Sequence, residues 1–398
     1  MSLIVIFWVL LFVLFYTYLG YALILFVLLK IKKMLFPNRF LETDTSYEPY
    51  VCLFVTAFNE KDYVQQKVEN SFLLDYPKDK IQYLWITDGS DDGTPELLKK
   101  FKNLEVYHLD DRQGKMHAMN RGVKFVKAPI IIFSDTNTLL GNQSIREIVT
   151  KFSNAKTGCV AGEKRIIEKE TDAAAGAGEG LYWKFESWIK NMDAELNSAV
   201  GAVGELFAIR TELFEDVEVD TLLDDFIISL RIAQKGYHIA YTPKAYAEET
   251  ASLNVKEELK RKIRIAAGGI QTIFRLKKLM NPFRYGLLSW QYFSHKVLRW
   301  TLAPMSLYLI LIVNVFIVIK QGEDWSNVNF YSAFLYFQLI CYVLATLGWY
   351  YENKKIRFKI LFVPYYFVSI NYASIRGIFR YFKGKQSVNW EKSRRANS

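Results

Sequence analysis

The chain has 398 residues, with 51 Lys plus Arg against 41 Asp plus Glu, a net charge of +10, and 51% hydrophobic and 16% aromatic residues. This mixture excludes a disordered tail, a collagen-like fibre and a small disulfide scaffold. Neither the three cysteines (Cys52, Cys159, Cys341) nor the four histidines (His108, His117, His238, His295) have zinc-site spacing, and the basic residues cluster beside apolar runs, which points to a membrane surface and away from nucleic acid.

Residues 3–29 contain no charge, and a crossing needs ~20 apolar residues, so the run spans with some tilt. A cleaved signal peptide fits poorly: no Lys or Arg precedes the run, it is too long, and no small-residue cleavage site follows. Lys30, Lys32, Lys33 and Arg39 come next. By the positive-inside rule they put the following domain in the cytoplasm.

That domain alternates apolar runs with helical patterns. Strands are expected at 50–56, 81–87, 104–109 and 129–134, and helices from Lys61 (Val64, Val68, Phe72 on one face) and from Lys115 to about Val126. The alternation predicts a mainly parallel sheet covered by helices on both faces, with ligands beyond the strands' carboxyl ends. Polar clusters stand at three such ends: AFNE with Glu60, TDGSDDGT with Asp88, and SDTNT with Asp135 and Asn137. Each alone is an ordinary turn or cap. Three at one sheet edge converge on one crevice.

Asp135 and Asn137 form an acid-x-amide pair whose oxygens suit Mg²⁺ or Mn²⁺ shared with substrate phosphates. The stretch DRQGKMHAMNRG offers Gly114, Lys115 and a helix start, either a diphosphate cradle or a solvated loop. Asp224 and Asp225 open an apolar helix. A capping role accounts for one of them, which leaves the other for general-base chemistry. Arg261 and Arg264 lie three apart, suited either to phosphate or to lipid headgroups.

From 271 to 298 basic and aromatic residues interleave, as in amphipathic helices at a membrane interface. Residues 300–319 and 330–351 are uncharged spans, the second ending in Trp349, Tyr350 and Tyr351. A fourth segment, 358–380, holds Pro364, Asn371 and Arg376. It reads as re-entrant or interfacial with a cytoplasmic tail, and a fourth crossing is nearly as good a reading. The organisation is then an N-terminal span (1–32), a cytoplasmic domain (45–270), interfacial helices (271–298), a membrane region (299–381) and a basic tail (382–398).

The ordered set VTAFNE, TDGSDDGT, RQGKMHAMNRG, SDTNT, GELFAIR, LDDF and RKIRI resembles the membrane-bound family 2 glycosyltransferases, the group of cellulose, chitin, hyaluronan and poly-N-acetylglucosamine synthases. The resemblance spans nearly the whole chain. It implies a GT-A fold, a UDP-sugar donor, inversion at the anomeric carbon, and a polysaccharide or lipid-linked acceptor. It also implies an inner-membrane enzyme of exopolysaccharide or cell-envelope glycan synthesis, in contact with membrane lipids and with export or accessory subunits. On this footing Glu60 and Asp88 hold uridine, Lys115 meets the diphosphate, and Asp135 with Asn137 binds the metal. Asp225, with Asp224 before it, deprotonates the acceptor. Gly204 lines the acceptor site, and Arg261 and Arg264 neutralise the leaving diphosphate.

Three positions depart from the family pattern: Asn137 for an Asp, Asp224 for a Glu, and Ile265 for the tryptophan that stacks on an acceptor sugar in processive members. Single-sugar transfer to a glycolipid is therefore a competing reading, and a non-catalytic membrane subunit a lesser one.

Overall fold

In the computed structural model the described residues are 2–37, 46–167, 173–250, 255–322, 329–353 and 359–384. Arg39 and the tail residues Lys385, Lys392, Arg394 and Arg395 lie outside them. The first span is one continuous helical rod: α1 (Leu3–Phe15), a π-helical turn (Tyr16–Gly20) and α2 (Tyr21–Leu35).

The following domain is built on eight strands: β1 (Val51–Ala57), β2 (Ile81–Asp88), β3 (Glu105–Leu109), β4 (Ile130–Asp135), β5 (Leu139–Leu140), β6 (Thr157–Ile167), β7 (Leu206–Arg210) and β8 (His238–Thr250). They form one sheet in the order β3-β2-β1-β4-β7-β6-β8-β5. The four strands expected from sequence pair in parallel, with Val51 opposite both Ile81 and Ile130. Beyond β4 the sheet becomes mixed: β7 is antiparallel to β4 and β6, β8 is parallel to β6, and β5 is antiparallel to β8. The sheet is thus less uniformly parallel than the alternation of elements predicts. β7 follows a long excursion through α7 and re-enters from the opposite end.

β1 is buried along its whole length, and its side chains alternate between two cores. Cys52 and Phe54 join Met116, Met119, Phe207 and Phe226 on one face. Val51, Leu53 and Val55 join Val64, Val68, Trp85 and Ile145 on the other. A strand covered on both sides needs apolar residues at every position, as a parallel sheet core requires.

The helices of this domain are α3 (Lys61–Phe72), α4 (Thr94–Leu98), α5 (Lys115–Val123), α6 (Ser144–Lys151), α7 (Ala173–Leu196), α8 (Asp224–Gln234) and α9 (Val255–Arg275). α9 runs unbroken through 270. It leads to α10 (Pro282–Tyr285), α11 (Leu287–Tyr292), a second π-helical turn (Phe293–Val297) and α12 (Leu298–Trp300). This amphipathic stretch has two sides: Leu279 and Tyr292 are fully buried in the sheet's core, whereas Phe283 is fully exposed.

Three helices then follow: α13 (Leu302–Gln321), α14 (Phe330–Asn353) and α15 (Lys359–Phe382). Among the described residues three helices are long and apolar enough to cross a membrane: Leu3–Leu35, Leu302–Gln321 and Phe330–Tyr351. α1 packs on α13, while α15 packs on α14 and along α9. α2 packs on α7, and Lys32 Nζ donates to the carbonyls of Glu195 (2.7 Å) and Leu196 (2.6 Å) at the α7 C-terminus. A cation suits that end, where carbonyls lack helical partners and the helix dipole is negative.

Candidate active site

The turns after β1 and β2 lock into one unit. Asn59 has φ 52°, a left-handed conformation that asparagine tolerates better than most residues. Its side chain donates to Asp91 Oδ1 (2.8 Å) and accepts from the Asp91 N–H (3.0 Å). The Glu60 N–H donates to Thr94 Oγ1 (3.1 Å), and the Lys61 N–H to Asp92 Oδ2 (3.1 Å). Asp88 is buried and accepts through Oδ2 from the N–H groups of Gln113 (2.9 Å) and Gly114 (2.7 Å). One carboxylate oxygen thereby fixes the loop that launches α5.

A cavity of about 1010 Å³ opens beyond these strand ends. Its wall contains Glu60, Lys115, Asp135, Asn137, Gly204, Asp224 and Asp225, and α9 adds Arg261 and Arg264. Nine of the ten residues singled out in the sequence therefore meet in one space. Asp88 is the exception. It lines a narrow adjoining cleft with Phe58, Arg112 and Gly114, and Lys115 borders both spaces. The Arg112 guanidinium stacks 3.8 Å above the Phe58 ring there.

Lys115 is the electrostatic hub. Its ammonium lies 2.9 Å from Asp135 Oδ1 and 3.0 Å from Asp224 Oδ2. Burial favours its neutral form, but Asp135 and Asp224 outweigh burial and hold it protonated. The carboxylates still outnumber it. Burial, with Asp224 and Glu205 nearby, pushes Asp225 up to about 7. Burial also raises Asp135 despite Lys115.

The capping expectation for the two aspartates is not met, because α8 begins after Leu223 with no side-chain cap. Asp224 is instead committed to Lys115. The Asp225 carboxylate lies beside Gly204, where an added Cβ would be 3.6 Å from Oδ2. The loop before it is tied down when the Ala202 N–H donates to Ser229 Oγ (3.0 Å) and Ser229 donates to the Asp225 carbonyl (2.6 Å).

Asn137 donates through Nδ2 to Glu249 Oε1 (3.1 Å). Its amide nitrogen is spent there, which leaves the carbonyl oxygen as the acceptor for a cation. Glu249 also accepts from the fully buried Lys164, which bridges to Glu205. Below the same loop Lys67, wholly buried, donates to Ser134 Oγ (2.6 Å) and the Thr138 carbonyl (2.7 Å). Burial lowers Lys67 to about 7 although Asp135 opposes the shift.

Arg261 is less available than its motif implies, since Glu258 grips it bidentately at 2.8 and 3.0 Å. Ile265, at the expected aromatic position, lines the cavity, as does Trp183 of α7.

Lys67, Lys164, Glu249 and Glu258 carry no role in the motifs, and Glu205 enters them only within GELFAIR, beside Gly204. Lys67 had a signal: it occupies the face of α3 shared by Val64, Val68 and Ser71, all buried. A lysine in an apolar stripe needs buried acceptors. The others are joined only by tertiary contact.

The sequence matches the Glycosyl transferase family 2 model over residues 52–218. Residues 52–218 are a family 2 glycosyltransferase domain. Poly-beta-1,6-N-acetyl-D-glucosamine synthase from Staphylococcus epidermidis is 24% identical over 249 residues, 60% of this chain and 59% of that protein. The Staphylococcus aureus (strain MSSA476) protein of the same name is 26% identical over 234 residues, 56% of each chain. The chain thus spans a little over half the length of these curated relatives. Mannosyltransferase PcManGT from Pyrobaculum calidifontis, solved with GDP-Man and Mn²⁺, superposes with a TM-score of 0.71 at 19% identity, over 97% of this chain and 100% of that one. The fold is accordingly that of a GT-A glycosyltransferase with apolar helices at both ends.

Proposed function

We propose that this glycosyltransferase domain transfers a sugar, with inversion, from a nucleoside-diphosphate donor to an acceptor brought to it at a membrane. The observation that carries the reading is the single cavity, where Lys115, Asp135, Asp225 and Arg264 share one wall at the sheet's carboxyl edge. A UDP-sugar is the expected donor. The mannosyltransferase of like fold was solved with GDP-Man, so both nucleotides belong in the test.

Asp225 would accept the proton of the acceptor hydroxyl while its oxygen attacks the anomeric carbon. The bond from that carbon to the diphosphate oxygen breaks, and the nucleoside diphosphate leaves with the electron pair. A carboxylate held near 7 is suited to this exchange. Lys115 and Arg264 would face the departing diphosphate, where fixed positive charge stabilises the developing negative charge.

A divalent cation fits Asp135 and Asn137. Both supply hard oxygen donors on one loop, in a pocket with more carboxylates than Lys115 neutralises. Among the described residues no three His, Cys, Asp or Glu side chains form a metal cluster, so substrate phosphates would complete the coordination. When bound, the cation would neutralise diphosphate charge. The positive-inside rule argues for a cytoplasmic catalytic domain in an inner membrane, with Lys30, Lys32 and Lys33 on that side.

The test is a donor screen on the full chain in nanodiscs, covering UDP-glucose, UDP-N-acetylglucosamine and GDP-mannose with Mn²⁺ or Mg²⁺, read as nucleoside diphosphate release and product size. Release from one donor, lost in Asp225→Asn and on chelation, is the expected result. Release that survives Asp225→Asn removes Asp225 as base, and no release from any donor overturns the reading. A reporter fused to the C-terminus is expected to report a cytoplasmic tail, and a signal from the other side would make 358–380 a crossing.

A further inference from the structure

The cavity has a second arm that sugar transfer from a nucleotide does not use. It runs from Asp225 towards the membrane helices, past Glu186 and Lys190 of α7, and then Lys296 of the second π-helical turn and Arg299 of α12. Trp183, Glu186 and Lys190 recur at helical spacing and give α7 one polar face towards this space. At its far end the wall changes to Tyr18 and Leu19 of the first span and to Phe367 and Ile370 of α15.

Three observations about this arm point to one kind of ligand. The first is Lys190. It is only 5% exposed, borders the cavity and makes no hydrogen bond or ion pair with another described residue. Its ammonium has the Tyr241 ring 5.7 Å away. Burial and the neighbouring Lys296 lower its basicity against the pull of Glu186, Glu163 and Asp225. Buried cations are ordinarily paired, so this one is set for an anion that the described residues do not supply.

The second is the charge around it. Glu186 accepts from His295 (3.1 Å), Lys296 and Arg299, so its charge is already shared among them. Among the described residues, the wall beyond Asp225 therefore carries Lys190, Lys296 and Arg299 beside one lining carboxylate, Glu186.

The third is the opening. Leu19 is 56% exposed and Phe367 is 38% exposed, although both also line the cavity. Leu19 continues an exposed stripe of Phe12, Phe15 and Leu23 on a helix long enough to span a membrane. Such a stripe meets lipid. The rim is held where Tyr18 donates to Asn371 Oδ1 (2.6 Å) and its ring meets Phe367 edge-on at 4.9 Å. The π-helical turn Tyr16–Gly20 carries both Tyr18 and Leu19, and such turns recur at functional positions in helices.

We propose that this arm binds the acceptor as a membrane lipid, with a phosphate-bearing head on Lys190, Lys296 and Arg299 and its apolar chain leaving between Leu19 and Phe367. This rests on the transferase reading and names its acceptor class. The anion would lie between the base and the bilayer, so that a hydroxyl beyond the phosphate reaches Asp225 while the chain stays in lipid. A water-soluble polymer end would need neither the unpaired lysine nor an opening onto the lipid-facing stripe.

The test needs no donor and no turnover, so it can fail while sugar transfer stands. The full chain in detergent is titrated with geranylgeranyl phosphate, and bound ligand is read by native mass spectrometry. Inorganic phosphate, phosphatidylglycerol and a soluble oligosaccharide are the competitors. One-to-one binding is expected, weakened roughly tenfold or more by Lys190→Met and retained in Lys190→Arg. Leu19→Trp, which changes no charge, should weaken it by narrowing the exit. Equal competition by phosphatidylglycerol, which carries a phosphate, a hydroxyl beyond it and apolar chains, supports the proposal. Equal competition by inorganic phosphate would make this a free-anion site and overturns it, as would unchanged binding in Lys190→Met and Leu19→Trp, or displacement by the oligosaccharide.

Discussion

Asp225 illustrates how position sets chemistry at a single residue. Burial beside Asp224 and Glu205 lifts it to about 7. If the ionised form takes the acceptor proton, kcat/KM should climb about tenfold per pH unit below 7 and level off above it. Asp225→Asn should abolish that limb and lower kcat by roughly 10²–10⁴-fold, measured as nucleotide release. Lys67 makes the opposite kind of prediction. Its folded value near 7 lies below the unfolded value of about 10.4. Between these pH values the unfolded chain binds more protons, so stability should rise with pH across that window. Thermal unfolding in detergent at pH 7 and pH 9 should show this rise in the wild type and not in Lys67→Met.

The loop from Gly201 to Gly204 and helix α8 act as one element. Gly201 has φ +90°, and an added Cβ would sit 2.2 Å from the Phe226 ring. Gly201→Ala is strained in both backbone and packing, so a loss of about 1–3 kcal/mol is expected. Gly204 is different, since an added Cβ meets Asp225 at ordinary contact distance. Gly204→Ala should melt as the wild type does yet raise the acceptor KM by crowding the carboxylate. Melting curves and acceptor titrations separate the two effects. If both alanine variants only unfold, Gly204 has no part in the acceptor site.

Across the whole molecule, the transferase domain is joined to its apolar helices through a buried polar seam. His295 lies between Asp193 (2.7 Å) and Glu186 (3.1 Å), and Tyr21 of the first span donates to Asp193. Gln291 donates to both the Asp193 carbonyl and its carboxylate (3.0 Å each). Glu186 is held well below the usual carboxylate range: Lys296, His295 and Arg299 together outweigh the burial that would raise it. Removing one partner of such a group leaves the rest uncompensated. Glu186→Gln should therefore cost about 3–5 kcal/mol, read as a lower melting temperature in detergent. A small shift would mean that water reaches this seam.

Local pattern was enough for much of this protein. The four parallel strands, the polar residues at their ends and the long apolar helices are legible because strand and span patterns are set by neighbours in the chain. The spacing of Asp135 and Asn137, and the adjacency of Asp224 and Asp225, are likewise local. Tertiary structure decided the rest, because charge pairing joins residues far apart in sequence. Lys164 unites Glu205 and Glu249. Lys115 ties up Asp224 and leaves Asp225 as the carboxylate raised to about 7. Glu258 takes the guanidinium that the motif assigns to phosphate. Lys190 reads as one more charge on a helix until β8 and the π-helical turn before α12 close around it, with no hydrogen bond or ion pair to another described residue. Sequence spacing places a side chain on a face, but only packing fixes which charges meet and how much water is left between them.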